Sequence, residues 1–201
     1  MNVTKSIFYS VVIWGHSLGT GVSCKLAEVL ASIENDDRKD LDDFKKLISP
    51  GSQSKLKGVF LEAPFESILT AAHSHFCGSF LWILPKSFRN YILDTVINIC
   101  DRFESITRAY KINVPVMIVH AVNDWLISVD QGINLAKSIA TNLDEPEIGN
   151  EVKIYDSVTH LGRDFRLVLF PSGGHNNLGF EPQFESVVGE FIENIDGFNK
   201  T

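Results

Sequence analysis

Two periods of apolar residues run through this chain. Val11-Val12-Ile13-Trp14, Gly58-Val59-Phe60-Leu61, Val116-Met117-Ile118-Val119-His120 and Phe165–Phe170 are short runs rich in β-branched and aromatic residues. Continuous runs of this kind fit strands buried on both faces. Between them the spacing changes to that of a helix. Val22, Leu26, Val29, Leu30 and Ile33 fall on one helical face, as do Phe184, Val187, Val188, Phe191 and Ile192. Ser128–Ala140 carries Ile133, Leu135, Ala136, Ile139 and Ala140 in the same manner. Strands alternating with helices predict an α/β domain with a mainly parallel sheet of about four strands, joined by right-handed crossovers. Phe65–Tyr110 is long, mixed and mostly helical by pattern. Asn35–Lys57 and Thr141–Asp164 are polar, with a short exposed helix expected within Asp40–Ile48.

Composition narrows the class. With 201 residues and 44% apolar content, the chain reads as one globular domain, 1–201. Its net charge of −7 is concentrated in two places. Glu34–Asp43 holds six acids against two bases, and Asp144–Glu151 holds four acids. Both read as solvated loops. The remainder is nearly neutral and has no basic stripe, which argues against a nucleic-acid partner. Cys24, Cys77 and Cys100 are widely spaced and read as reduced, buried thiols. The longest apolar stretches, about ten residues, are well short of the ~20 that a transmembrane span needs. Asn2-Val3-Thr4 is a glycosylation sequon by pattern alone.

The candidate chemistry begins at Gly15-His16-Ser17-Leu18-Gly19. This G-x-S-x-G stretch stands between a predicted strand and a predicted helix, the setting of a nucleophile elbow. The turn forces the serine into a strained backbone conformation, and its flanking glycines let helix and strand approach. Serine chemistry further needs a base and an acid that orients the base. His175 follows the strand Phe165–Phe170, and Asp124 follows the strand Val116–His120. Both fall at the carboxyl edge of the sheet, in the order serine, acid, histidine. Glu62, after the preceding strand, is the rival acid. Asp130 reads as a helix-start residue. His16 reads as packing or bonding locally, and His120 as a satisfied core histidine. His73, His75 and His160 lack ligand spacing, so neither a metal nor a cofactor is expected. The Leu18 N–H is the expected backbone donor of an oxyanion hole.

Together these residues resemble the α/β-hydrolase superfamily. Ile13-Trp14-Gly15-His16-Ser17-Leu18-Gly19-Thr20-Gly21, Leu61-Glu62-Ala63-Pro64-Phe65 and Val119-His120-Ala121-Val122-Asn123-Asp124 are similar to the monoacylglycerol and lysophosphatidylserine lipases of that superfamily. The resemblance runs from about Ser10 to Ile192. It implies the C-terminal part of an α/β-hydrolase fold with a cap-like helical insertion at about 66–110. It also implies a serine lipase of glycerolipid esters, membrane-associated in the endoplasmic-reticulum manner, working through Ser17, Asp124 and His175. Ile127-Ser128 and Trp125 depart from the usual pattern, and Asn35–Lys57 and Thr141–Asp164 look like insertions. Within the expected cap, Phe76, Phe80, Leu81 and Trp82 would touch an acyl chain or a membrane surface, or else form a buried core helix.

Strands that precede the elbow in this family have no counterpart here, nor does the loop that supplies the second oxyanion donor. The expectation is therefore a partial domain, soluble as given, with an exposed sheet edge prone to self-association. Two alternatives stand beside the lipase. One is a catalytically weak truncated isoform acting through interactions. The other is a peptidase or thioesterase using the same three residues.

Overall fold

The computed structural model describes residues 8–34, 53–73, 85–87, 91 and 103–196. Six strands form one sheet: β1 (Phe8–His16), β2 (Gln53–Glu62), β3 (Val116–Ala121), β4 (Ala140–Thr141), β5 (Lys153–Thr159) and β6 (Asp164–Phe170). Their order is β1-β2-β3-β6-β5-β4. The first four in that order are parallel, while β5 runs antiparallel to both β6 and β4. The helices are α1 (Leu18–Glu34), α2 (Ile68–His73), α3 (Ser105–Ala109), α4 (Val129–Ile139) and α5 (Phe184–Asp196).

Strand alternation divides the apolar runs between two layers. Val59 and Leu61, Val116 and Ile118, and Phe165, Leu167 and Leu169 join Cys24 and Ala27 of α1 and Leu135, Ala136 and Ile139 of α4 in one core. Phe60, Met117 and Val119, and Val168 and Phe170, face the other way and pack with Phe184, Val187 and Phe191 of α5. Because both faces are covered, every residue of β3 is buried. This three-layer arrangement has the expected fold class.

The expected four strands are the parallel block, and the sheet has two more. Thr141–Asp164 is not a structureless insertion, because β5 and the end of β4 lie within it. β5 escapes a search for apolar runs because alternate residues face solvent; Asp156 interrupts it, and Ile154 and Val158 stand on its exposed face. At the opposite edge β1 hydrogen-bonds β2, and among the described residues no strand pairs with its other side. The helix expected within Asp40–Ile48, Cys77, Cys100 and most of the cap-like insertion lie outside the described residues. Among those residues, no helix is long and apolar enough to cross a membrane.

Candidate active site

Ser17 joins β1 to α1 with φ at +51°, in the left-handed region that side chains disfavour. Neighbouring groups hold it there. Its N–H donates to the Glu62 carbonyl at 2.9 Å, which ties the turn to the end of β2. Its own carbonyl accepts from the Thr20 N–H at 2.9 Å and the Thr20 hydroxyl at 2.6 Å. Gly15 is sterically required: a Cβ there would collide with the Ser23 hydroxyl and stand 2.6 Å from the Gly19 carbonyl oxygen. Gly19 differs from the expectation of close approach. A Cβ on it meets nothing within 4 Å among the described residues. The Leu18 N–H, at the start of α1, is among the amides of a helix N-terminus that have no intrahelical acceptor.

His175 stands on the loop after β6. That loop turns through Gly173 (φ +101°) and Gly174 (φ +57°), both in the left-handed region. Two long-range bonds fix it. Asn123 Oδ1 accepts from the Gly174 N–H at 2.8 Å, and His16 Nε2–H donates to the His175 carbonyl at 2.9 Å. His16 thus links the elbow to the histidine loop across 159 positions, rather than bonding locally as expected. His175 is buried, with Nε2 2.8 Å from Ser17 Oγ and Nδ1 2.8 Å from Asp124 Oδ2.

Asp124 follows β3 in a turn closed by its own side chain. Its Oδ1 accepts from the N–H groups of Leu126 and Ile127, each at 2.9 Å. Burial opposes ionisation. Hydrogen bonds from His120, His175 and the Ile127 and Leu126 backbone outweigh it and hold the carboxyl well below the usual carboxylate range. An ionised Asp124 can only accept, so His175 Nδ1 carries a proton, Nε2 is an acceptor, and the Ser17 hydroxyl donates to it. The arrangement can take a proton from Ser17 and stabilise the imidazolium that results.

The structure therefore brings Ser17, His175 and Asp124 into one hydrogen-bond chain. Glu62 is engaged elsewhere, accepting from Trp14 Nε1 at 3.1 Å. Asp130 sits in the first turn of α4, whose N-cap Ser128 accepts from its backbone N–H. Phe76, Phe80, Leu81 and Trp82 lie outside the described residues. A cleft of about 200 Å³ opens at the other edge of the sheet, lined in part by Val116, Phe165, Arg166 and Ile195. None of the three hydrogen-bonded residues lines it. The chemistry is identified by side-chain geometry, not by concavity. Among the described residues no group of side chains is arranged to hold a metal ion.

Sequence reasoning missed the part that His120 plays. Expected to be a satisfied core histidine, it is fully buried, with Nε2 3.1 Å from the Ile127 carbonyl and 3.4 Å from Asp124 Oδ2. Its Nδ1 has no hydrogen-bond partner among the described residues. The four-residue interval to Asp124 was the available signal, but the turn that folds the two together is not periodic.

No family model matches the chain. A lysophosphatidylserine lipase ABHD12 of Danio rerio is 32% identical over 184 residues, spanning 90% of this chain and 39% of that protein. The ABHD12 of Rattus norvegicus is 25% identical over 189 residues, spanning 90% and 38%. The chain thus spans about two fifths of the length of these curated relatives. Among solved structures, an acylaminoacyl peptidase of Pyrococcus horikoshii superposes with a TM-score of 0.50 at 13% identity, covering 90% of this chain and 23% of that one. A puromycin hydrolase mutant gives 0.52 at 12% identity, covering 92% and 22%. These two likenesses speak to the fold alone. With the elbow between β1 and α1 and the site at the carboxyl edge of a mostly parallel sheet, the chain has the α/β-hydrolase fold and is similar to the ABHD12 type.

Proposed function

We propose that this chain is a serine hydrolase of carboxylic esters, with a monoacylglycerol or lysophospholipid as substrate. The observation that carries the reading is the bond sequence Ser17 Oγ to His175 Nε2, and His175 Nδ1 to Asp124 Oδ2, each 2.8 Å. Ser17 Oγ attacks the ester carbonyl carbon while its proton passes to His175 Nε2. The oxygen of the tetrahedral adduct accepts from the Leu18 N–H. His175 then returns the proton to the departing alcohol oxygen as the C–O bond breaks, leaving an acyl-serine. Water repeats the sequence in reverse, giving a free acid and regenerating Ser17. Asp124 stays ionised throughout and orients the imidazole.

Support for a lipid acyl group is of two kinds. The two curated relatives described above are named lysophosphatidylserine lipases. Exposed apolar side chains also adjoin the site residues in the chain: Leu18 (55% exposed) follows Ser17, Trp125 (57%) follows Asp124, and Phe180 (86%) follows His175 by five positions. Apolar surface in these places suits an acyl chain or a bilayer surface. A second reading, weak catalysis with an interaction role, draws on β1, which pairs on one side only among the described residues and carries the exposed side chains of Val11 and Trp14.

Labelling with a fluorophosphonate, followed by hydrolysis of a short-chain ester and of lysophosphatidylserine, tests the proposal. Ser17 is expected to label, and Ser17→Ala to lower turnover by roughly 10⁴-fold or more with the fold retained. An unlabelled Ser17 would favour the second reading. Cleavage of amides or thioesters in preference to oxygen esters would replace the substrate class.

A further inference from the structure

His120 is an uneconomical residue for its position. It lies in β3, one of the two inner strands of the parallel block, at a site with no exposure. A leucine or phenylalanine would fill such a place without polar atoms to satisfy. Instead an imidazole is present, and its buried Nδ1 has no partner among the described residues. The residue facing it is also unusual. Gly132 lies within α4, where alanine would favour the helix. A Cβ on Gly132 would collide with His120 Nδ1. Two separate costs, an orphaned ring nitrogen and a glycine in a helix, thus serve to keep one imidazole in place.

The proton on that imidazole can be located. His120 Nε2 faces the Ile127 carbonyl and the Asp124 carboxylate, and both groups accept only. The proton is therefore on Nε2, shared between those oxygens. Nδ1 carries the lone pair and faces the bare Cα of Gly132. Protonating Nδ1 as well would bury a charge whose second donor has no acceptor. Among the described residues, Asp124 is the charged group that pairs with this ring.

We infer that His120 is a positioning residue for Asp124, a neutral imidazole whose Nε2–H holds Oδ2 in line with His175. The carboxylate then has donors on all sides. Leu126 and Ile127 hold Oδ1, while His120 and His175 share Oδ2. Rotation of the carboxyl group would break several of these bonds at once. The hydrogen bond from His120 also favours the ionised form, as its contribution to the low Asp124 pKa indicates. This inference rests on the reading of Asp124 as the acid that orients His175.

The test compares isotope-labelled chains carrying His120→Phe, His120→Gln and Gly132→Ala. Phenylalanine keeps the bulk and removes the donor, and glutamine keeps a donor near the Nε2 position. Gly132→Ala pushes on the Nδ1 side of the ring by direct contact and leaves His120 itself in place while favouring the helix, so it covers the case in which His120→Phe fails to fold. In the wild type, ring ¹⁵N shifts should show the Nε2–H form. The carboxyl ¹³C titration of Asp124 should move upward in His120→Phe and Gly132→Ala and return toward wild type in His120→Gln. Turnover per fluorophosphonate-labelled serine should fall about 10- to 100-fold in the first two, the scale of one charge-assisted hydrogen bond, with most of it recovered by glutamine. A proton found on Nδ1, an unmoved Asp124 titration, or equal losses in Phe and Gln that merely follow the folded fraction would overturn the inference. If wild-type Ser17 neither labels nor turns over ester, the functional reading fails by itself, and the ring tautomer and the Asp124 titration still decide the role of His120.

Discussion

The parallel block and the antiparallel margin of this sheet share a strand border at β6 yet differ in almost every physical respect. Both sides of β3 are covered, and all of its residues are buried. In β5, on the far side of β6, every second residue of Lys153–Val158 is exposed. The proposed chemistry follows the same division. Ser17, Asp124 and His175 stand just past the carboxyl ends of β1, β3 and β6, all members of the parallel block. The antiparallel margin instead carries a surface ion-pair network, in which Arg166 of β6 meets Asp156 of β5 and Glu190 of α5. Parallel strands deliver all their carboxyl ends to one edge, so residues distant in sequence meet there. An antiparallel neighbour reverses that direction and contributes its amino end instead.

Substitution at the acids should give the largest contrast. Asp124→Asn is expected to lower ester turnover by about 10⁴-fold, because the base loses its oriented tautomer and its ion-pair support. Glu62→Gln, which can still accept from Trp14, should change it less than about threefold, within the range of surface substitutions. Steady-state kinetics on both variants decides which carboxylate serves His175, and a crippled Glu62→Gln beside a mild Asp124→Asn would reverse the assignment.

Core truncation should separate the two regions by stability. Ile118→Ala in β3 removes a fully buried side chain and is expected to cost about 2–5 kcal/mol. Ile154→Ala in β5 removes one that is 46% exposed, and should cost less than about 1 kcal/mol. Urea denaturation of both variants measures the difference. Equal costs would mean that the antiparallel margin is as cooperative as the block.

The smallest effect concerns acid. Since the Asp124 carboxyl is held below its ordinary range in the folded chain, its contribution to stability is complete above the unfolded value of about 3.9 and is lost as pH falls below it. Asp124→Asn should therefore lose less stability than wild type between about pH 4 and pH 2. Parallel acid slopes for the two proteins would show that the carboxylate is not stabilised by folding.

Much of the parallel block was legible from periodicity. A strand covered on both faces must be apolar at nearly every position, so β2, β3 and β6 stand out as runs; β1 is apolar as well, although Val11 and Trp14 are exposed rather than buried as expected. The elbow was legible because a strand-to-helix turn of this shape limits its residues locally, although the reasons for the two glycines differ: Gly15 has no room for a Cβ, whereas Gly19 has space among the described residues. The antiparallel strands were not legible, because half of β5 faces solvent and its polar residues resemble a loop.

What the sequence by itself determined is the class of fold, the serine turn, and the chain order of a hydroxyl, two competing carboxylates and a histidine. Chain order already favoured Asp124 over Glu62; the tertiary structure supplied the partners, placing Asp124 on His175 and Glu62 on Trp14. It also decided that His16 braces the histidine loop and that the His120 ring faces Asp124 with Nε2 and Gly132 with Nδ1. The reason is physical. Apolar periodicity and turn residues act within a few positions and leave a local record, whereas the partner of a buried polar group is set by which strand ends the sheet brings together. His16 and His175 bond across 159 positions, and Asp124 and His175 across 51.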